Sequence, residues 1–190
     1  MKVVCLQGSH KKNGNTSTML GWVEEALQGA GHQIEHVHMA EKNVSGCIGC
    51  YRCQQDPDEL ICSVQDDGSD LLEAIAGADA LIYATPLYGW DFSGQMKPLL
   101  DRHLSFVTGF MDPAAHKSHL EGKTAALLVT CGGPEGQGNT DCISTIWQRM
   151  ASFAKFGPVH ELIVANCADP KDLGEEHQTM AEQFASTIAG

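Results

Sequence analysis

Three short runs of nearly uninterrupted apolar residues constrain the fold of this chain most strongly. They are KVVCLQ at 2–7, ADALIYAT at 78–85 and KTAALLVTC at 123–131, and a glycine or a proline directly follows each. A strand that is buried on both faces shows a continuous apolar run, as in a parallel sheet covered on both sides. These runs therefore predict the inner strands of such a sheet.

The segments between the apolar runs carry helical spacing. Apolar residues of the stretch 16–30 recur at intervals of 1, 3, 3 and 1 along the chain, from Met19 to Leu27, which is typical of a helix. Further helices are predicted over 67–77, 93–104, 140–155 and 173–189, and further strands over 32–39 and 159–166. Alternating strands and helices indicate an α/β fold, a doubly wound parallel sheet of five strands with helices on both faces.

Length and charge narrow the functions that fit. A chain of 190 residues favours a single domain over 1–190. Its formal net charge of -12 repels nucleic acid and anionic membranes, so we expect neither as a partner. The first ten residues lack the apolar stretch of a signal peptide, and no apolar run has the length of a membrane helix. The expected location is the cytoplasm.

The loop after the first strand resembles a phosphate site. Ligands of open α/β sheets bind beyond the carboxyl ends of the strands, and GSHKKNGNTS at 8–17 lies there, directly before a helix. A helix N-terminus offers free N–H groups and partial positive charge. The loop is neither a Walker motif nor the Gly-x-Gly-x-x-Gly fingerprint, which favours a terminal monophosphate. A capped helix start without a ligand is the alternative.

Two further loops fall at the same predicted edge. The segment TPLYGWDFSG at 85–94 brings three aromatic residues together, Tyr88, Trp90 and Phe92, which either stack on a flat ligand or close the edge of the core. The segment TCGGPEGQGN at 130–139 contains four glycines, which allow close approach of the backbone to a ligand. Together the three loops predict a site for a phosphorylated planar cofactor.

Three segments occur in a characteristic order along the chain: GSHKKNGNTS, CIGCYRC and ATPLYGWDFSGQMKPLLDR. In these segments the chain resembles the NADPH-dependent FMN reductase and iron–sulfur flavoprotein group of flavodoxin-like proteins. The resemblance implies a flavodoxin-like fold, FMN as cofactor and NAD(P)H as a transient donor. The acceptor would be a small molecule such as a flavin or a quinone. A homodimer or homotetramer is implied, because a second subunit commonly completes the flavin site in this group. The flavin does the redox chemistry, so no catalytic side chain is named.

The resemblance also implies roles for individual residues. The FMN phosphate would be held by Ser9, Asn15, Thr16 and Ser17, with Lys11 able to add charge. The ring and ribityl chain would be lined by Pro86, Leu87, Tyr88, Gly89 and Trp90, and approached by Thr130, Cys131, Gly132 and Gly133. Asp101 and Arg102 match a recurring pair of the family, which we interpret as a structural salt bridge at a helix end.

Four of the eight cysteines are concentrated in an irregular, cysteine-rich insertion at about 44–66. Cys47, Cys50, Cys53 and Cys62 form the pattern Cys-x2-Cys-x2-Cys-x8-Cys, and ferredoxin-type [4Fe–4S] sites use this kind of spacing. Zinc ligation and free or redox-active thiols near the flavin are the other interpretations. Among the remaining four, Cys5 and Cys131 are expected to pack as small apolar side chains.

Two further functional hypotheses stay open, the first from the cysteine pattern and the second from the loop after the first strand. The first is an iron–sulfur electron carrier that passes electrons between a ferredoxin-like donor, a [4Fe–4S] cluster and FMN. The second is a phosphate-ester-binding or hydrolysing domain without flavin, against which the aromatic loop argues. No Cys-x5-Arg nucleophile loop follows Cys5 or Cys131. Flavin absorbance distinguishes the last hypothesis from the others.

Overall fold

The computed structural model describes residues 1–112 and 114–190, and a five-stranded parallel sheet forms its centre. The strands are β1 (Lys2–Gln7), β2 (Gln33–His38), β3 (Ala80–Pro86), β4 (Val107–Thr108), β5 (Lys117–Ser118), β6 (Thr124–Thr130) and β7 (Val159–Val164). The sheet has the order β2-β1-β3-β6-β7, and every pair in it is parallel. The strand order reverses between β1 and β3, which is where α/β sheets bind ligands.

Helices cover both faces of the sheet. The helices are α1 (Asn15–Gly29), α2 (Asp67–Ala76), α3 (Lys97–Asp101), α4 (Asp141–Phe153) and α5 (Glu175–Ala189). Because strand side chains alternate between faces, Val3 and Cys5 enter the core beneath α1 and α5, whereas Val4 and Leu6 enter the core beneath α2, α3 and α4. The predicted doubly wound, flavodoxin-like architecture is thus confirmed.

Two parts of the predicted secondary structure differ. The helix expected over 93–104 is only α3, followed by a 3-10 turn over Arg102–Phe106. Residues 94–96 form a turn and not helix, although the Ser93 carbonyl accepts from the Met96 and Lys97 amides as at a helix start. Ser93 also connects this turn to the neighbouring loops, since it donates from N to Thr85 Oγ1 and from Oγ to the Gly8 carbonyl. Pro98 then occupies the first turn of α3, where proline is tolerated. The antiparallel pair β4 and β5 was not predicted, because two-residue strands leave no periodic pattern.

The buried cysteines agree with the apolar interpretation. Cys5, Cys131 and Cys167 are buried, and Cys142 is exposed. The segment between β2 and α2 has no regular structure beyond two 3-10 turns, Met39–Glu41 and Arg52–Gln54. None of the helices in the described ranges is long and apolar enough to cross a membrane.

Candidate cofactor site

A cleft of about 200 Å³ opens at the carboxyl edge of the sheet. The loops after β1, β3 and β6 contribute to its wall as the sequence predicts. Ten of the fourteen predicted cofactor residues line the cleft: Ser9, Lys11, Asn15, Thr16, Pro86, Leu87, Tyr88, Thr130, Cys131 and Gly132. Residues that are up to 123 positions apart in sequence are therefore brought to one concave surface.

The N-terminus of α1 is open toward this cleft. Its first residue is Asn15, its N-cap is Gly14, and no side chain of the described residues caps it. Gly14, Asn15 and Thr16 all line the cleft, and the first turn contains no acidic residue. Uncapped N–H groups together with the helix dipole favour an anion here. The side-chain cap that the alternative interpretation expects is not found among the described residues.

Two polar side chains of the first turn of α1 connect it to the other loops. Asn15 Nδ2 donates to the Cys167 carbonyl at 2.6 Å, while Asn15 Oδ1 is buried without a hydrogen-bond partner in the described parts of the chain. Thr16 Oγ1 lies 2.7 Å from Thr130 Oγ1. A buried acceptor without a partner carries a desolvation cost, and a ligand hydroxyl in the cleft would remove it.

The first loop is held in place from both sides. His38 Nε2 lies 2.8 Å from the Ser9 carbonyl oxygen, and Ser9 Oγ accepts from the Lys11 amide at 3.2 Å. Gly8 donates to the Ala84 carbonyl at 2.7 Å. A Cβ on Gly8 would lie 2.8 Å from Ser93 Oγ, so glycine permits this close contact with the loop after β3.

The three aromatic residues of the second loop differ in burial, and Phe92 closes the edge of the core, which is one of the two alternatives that the sequence leaves open. Tyr88 and Trp90 are 57% and 59% exposed, whereas Phe92 is 4% exposed and packs in the core. Tyr88 and Asp91 exchange backbone hydrogen bonds, and Gly89 and Trp90 between them have φ of 58° and 64°. This tight turn leaves both rings exposed, with Tyr88 in the wall of the cleft and Trp90 two residues further along the chain.

Four predicted cofactor residues lie beside the cleft rather than in its wall. Gly89 and Trp90 belong to the turn just described. Ser17 Oγ donates to the Lys11 carbonyl at 2.6 Å and so braces the first loop. The Gly133 carbonyl accepts from the Asn166 amide at 3.0 Å, which ties the third loop to the loop after β7.

The sequence analysis missed the contribution of the loop after β7. Cys167, Ala168 and Pro170 line the cleft together with Gly14. Because β7 lies next to β6 in the sheet, its carboxyl end reaches the same edge, and the rule that selected the other loops would have included this one. Burial raises the pKa of the Cys131 and Cys167 thiols, so both are neutral thiols in the wall.

The insertion brings its four cysteines to a second, smaller pocket. Cys47, Cys50, Cys53 and Cys62 all line it, and none forms a disulfide. The Ser63 hydroxyl lies 3.3 Å from the Cys50 sulfur and lowers the pKa of that thiol, whereas burial raises the pKa of Cys53. Within the described ranges, no three His, Cys, Asp or Glu side chains are grouped closely enough to hold one metal ion.

Arg102 lines the same pocket but is not paired as the sequence predicts. Its guanidinium forms an ion pair with Asp66, while Asp101 pairs with Lys97 on the surface. The expected salt bridge between Asp101 and Arg102 is therefore wrong. Neighbours in sequence at the end of a helix point in different directions, and Arg102 points inward toward the start of α2.

The fold and the cleft define the class of protein: a flavodoxin-like α/β protein with an uncapped helix N-terminus that opens into a cleft at the switch point of its sheet. The chain belongs to the NADPH-dependent FMN reductase family, whose model matches residues 1–152.

Individual relatives agree with this family. An iron–sulfur flavoprotein of Archaeoglobus fulgidus is 30% identical over 189 residues, covering 100% of this chain and 79% of the relative. An iron–sulfur flavoprotein of Methanocaldococcus jannaschii is 29% identical over 170 residues, covering 90% and 78%. The FMN-dependent NADH-azoreductase of Bacillus anthracis superposes with a TM-score of 0.75 over 100% of both chains, at 13% identity. This last likeness is one of fold.

Proposed function

We propose that this chain binds FMN in the cleft and transfers electrons from NAD(P)H to a flavin, a quinone or another small acceptor. The observation that supports it best is the uncapped N-terminus of α1, which opens into a cleft with an exposed aromatic turn at its mouth. Phosphate binding by a helix terminus and stacking by aromatic side chains are the two requirements of a phosphorylated planar cofactor. Membership of the FMN reductase family supports the same cofactor.

The residues present fit FMN. The phosphate would be held by the amides at the start of α1 and by Ser9 and Thr16, with Lys11 supplying positive charge. Asn15 Oδ1, which is buried without a partner in the described chain, would accept from a ribityl hydroxyl. Tyr88 and Trp90 would contact the ring, with Pro86, Leu87, Gly89 and the Thr130–Gly133 backbone around it. When bound, FMN accepts a pair of electrons from NAD(P)H and gives them to the acceptor.

The role of the protein is to bind FMN, to orient it and to leave one face of its ring accessible. Tyr88 and Trp90 are exposed, so donor and acceptor can use the same open face in turn. The exposed aromatic turn is also a surface that a second copy of the chain would cover, in a homodimer or homotetramer. We name no side chain as acid or base.

Asn15 provides a direct test of cofactor binding. The wild-type protein should carry flavin absorption bands after purification or after incubation with FMN. Replacement of Asn15 by alanine should weaken FMN binding about tenfold, about 1.4 kcal/mol. Asn43→Ala is the matched control, because Asn43 is exposed and outside the cleft. Wild-type protein without flavin bands in excess FMN would refute the proposal.

A second candidate function adds a [4Fe–4S] cluster held by Cys47, Cys50, Cys53 and Cys62. The observation that favours it is that all four cysteines line one largely apolar pocket. A single zinc ion needs sulfur atoms converging on one point, whereas a cluster is ligated through separate irons and needs thiolates around a cavity. The donor set therefore fits a cluster better than zinc. A ferredoxin-like donor would then pass single electrons to it.

Iron and sulfide content tests this second candidate. Protein purified without oxygen should contain about four irons per chain. Cys53→Ser should lose them, while Cys142→Ser should keep them, because Cys142 is exposed and lies on α4. If wild-type protein binds FMN but contains no iron, the cluster candidate is refuted and the reductase function stands. The four cysteines are then free thiols.

We further propose a single flavin-binding domain over 1–190, with 44–66 as its insertion, located in the cytoplasm. The eight cysteines are all free thiols, which agrees with a reducing compartment. The net charge of -12 argues against nucleic acid or an anionic membrane as partner.

A further inference from the structure

Arg102 is a buried charge in the wall of the four-cysteine pocket. The residue is 1% exposed, and arginine is almost never buried this deeply unless it is paired. Its Nη1 is paired with Asp66, and its Nη2 donates to the Val64 carbonyl at 3.2 Å. Its Nε is buried and has no hydrogen-bond partner in the described parts of the chain. The guanidinium thus keeps one unsatisfied donor, and Arg102 lines the same pocket as the four cysteines.

The neighbouring residues Gly68 and Asp66 fix the position of this guanidinium. A Cβ on Gly68, in the first turn of α2, would lie 2.3 Å from Arg102 Nη1, so only glycine leaves the space. Asp66 is also satisfied from other directions, since Asp66 Oδ2 accepts from the Ser45 amide and Asp66 Oδ1 from the Gly68 amide. Asp66 is therefore fixed, and it holds Arg102 in one position.

Arg102 is the one cationic side chain among the described residues that line this pocket. Four thiolates on an iron–sulfur cluster bring negative charge into a largely apolar cavity, and such charge is costly without compensation. A fixed cation stabilises the more negative, reduced state more than the oxidised state, and hydrogen bonds to sulfur act in the same direction. The negative charge of Asp66 opposes both effects.

We propose that Arg102 tunes the cysteine site: its buried guanidinium supplies the countercharge and an Nε–H donor to the cluster sulfurs. Together with Asp66 it sets the reduction potential of the cluster. This inference rests on the [4Fe–4S] candidate proposed above. It goes further in assigning opposite effects to two residues that are not ligands.

The test is the midpoint potential of the cluster, measured by dithionite titration with electron paramagnetic resonance detection. Asp66→Asn keeps the shape and the helix cap but removes the negative charge, so the potential should rise. Arg102→Gln should lower it. Each change should alter the equilibrium constant for one-electron reduction about tenfold, which corresponds to about 59 mV. Arg102→Lys, which keeps the charge and loses Nε, should lie between Arg102→Gln and the wild type.

Arg52→Gln is the matched control. Arg52 is an exposed arginine within the same cysteine segment, so solvent screens its charge and the potential should stay near the wild-type value. If Arg102→Gln fails to fold, Asp66→Asn carries the test alone. This inference would be overturned if the potentials of Asp66→Asn and Arg102→Gln differed from the wild-type value by no more than that of Arg52→Gln. The [4Fe–4S] candidate itself would stand in that case. Wild-type protein without iron and sulfide would overturn the cluster candidate, and this inference with it.

Discussion

The hydroxyl pair of Thr16 and Thr130 connects the start of α1 to the end of β6, and its removal separates a structural role from cofactor binding. Both side chains are buried, and their oxygens lie 2.7 Å apart. Two hydroxyl groups carry two protons, of which the mutual hydrogen bond uses one. The second proton is available to a ligand in the cleft. Valine has nearly the shape of threonine, so it removes the hydroxyl with little change in packing.

The expected effects on stability are unequal for single and double variants. Thr16→Val or Thr130→Val leaves the other hydroxyl buried without its partner, which costs about 1–3 kcal/mol. Replacement of both partners by apolar groups of similar shape is nearly neutral. The double variant should therefore be more stable than the sum of the single variants predicts, by a coupling free energy of about 1 kcal/mol or more. For a chain of this size, each kcal/mol shifts Tm by about 2–4 °C.

The free energy of unfolding is measured on the apoprotein by urea denaturation, and the affinity for FMN by quenching of flavin fluorescence. We expect the double variant to regain stability but not FMN affinity, because it has no hydroxyl left to donate to the cofactor. Single variants that each cost less than about 0.5 kcal/mol, or strictly additive effects, would refute the reasoning. Water from the cleft would then be replacing the lost partner.

Three further predictions concern other parts of the molecule. Gly68→Ala should destabilise the protein by about 3–5 kcal/mol in urea unfolding, since the added Cβ would displace Arg102 from the buried ion pair. Gly21→Ala is the control, because Gly21 lies inside α1 and a Cβ there would meet no atom within 4 Å. It should stabilise the protein by about 0.5–1 kcal/mol. Trp90→Ala should weaken FMN binding with stability unchanged within about 0.5 kcal/mol, whereas Phe92→Ala should cost about 3–5 kcal/mol of stability; the opposite pattern would reverse the roles given to the two rings. Burial lowers the pKa of His103 to about 4, below its value of about 6.5 in unfolded chains. The unfolded state therefore binds more protons, and the free energy of unfolding should fall as the pH drops from about 6.5 to about 4. His103→Phe should flatten this pH dependence, and an unchanged slope would contradict the assignment.

The sequence was most informative where one physical requirement dominates. Strands buried on both faces need apolar runs, so β1, β3 and β6 could be located to within two residues. The rule that ligands bind at the carboxyl edge then placed three loops in one cleft. The same pattern could not show that Phe92 points into the core while Trp90 stays exposed, because a turn with two residues at positive φ sets their directions.

The pairing of Arg102 shows why the remainder could not be predicted. Asp101 precedes it in sequence and offers the nearest carboxylate, but the choice of partner depends on which charges are removed from water together. Asp101 is on the surface with Lys97, where an ion pair contributes about 0–1 kcal/mol. Arg102 is drawn inside by a carboxylate 36 residues away, in a position that Gly68 keeps open. Taking both charges out of water has a desolvation cost, which the ion pair and the hydrogen bonds from the Ser45 and Gly68 amides to Asp66 offset, and none of these contacts can be recognised in the sequence.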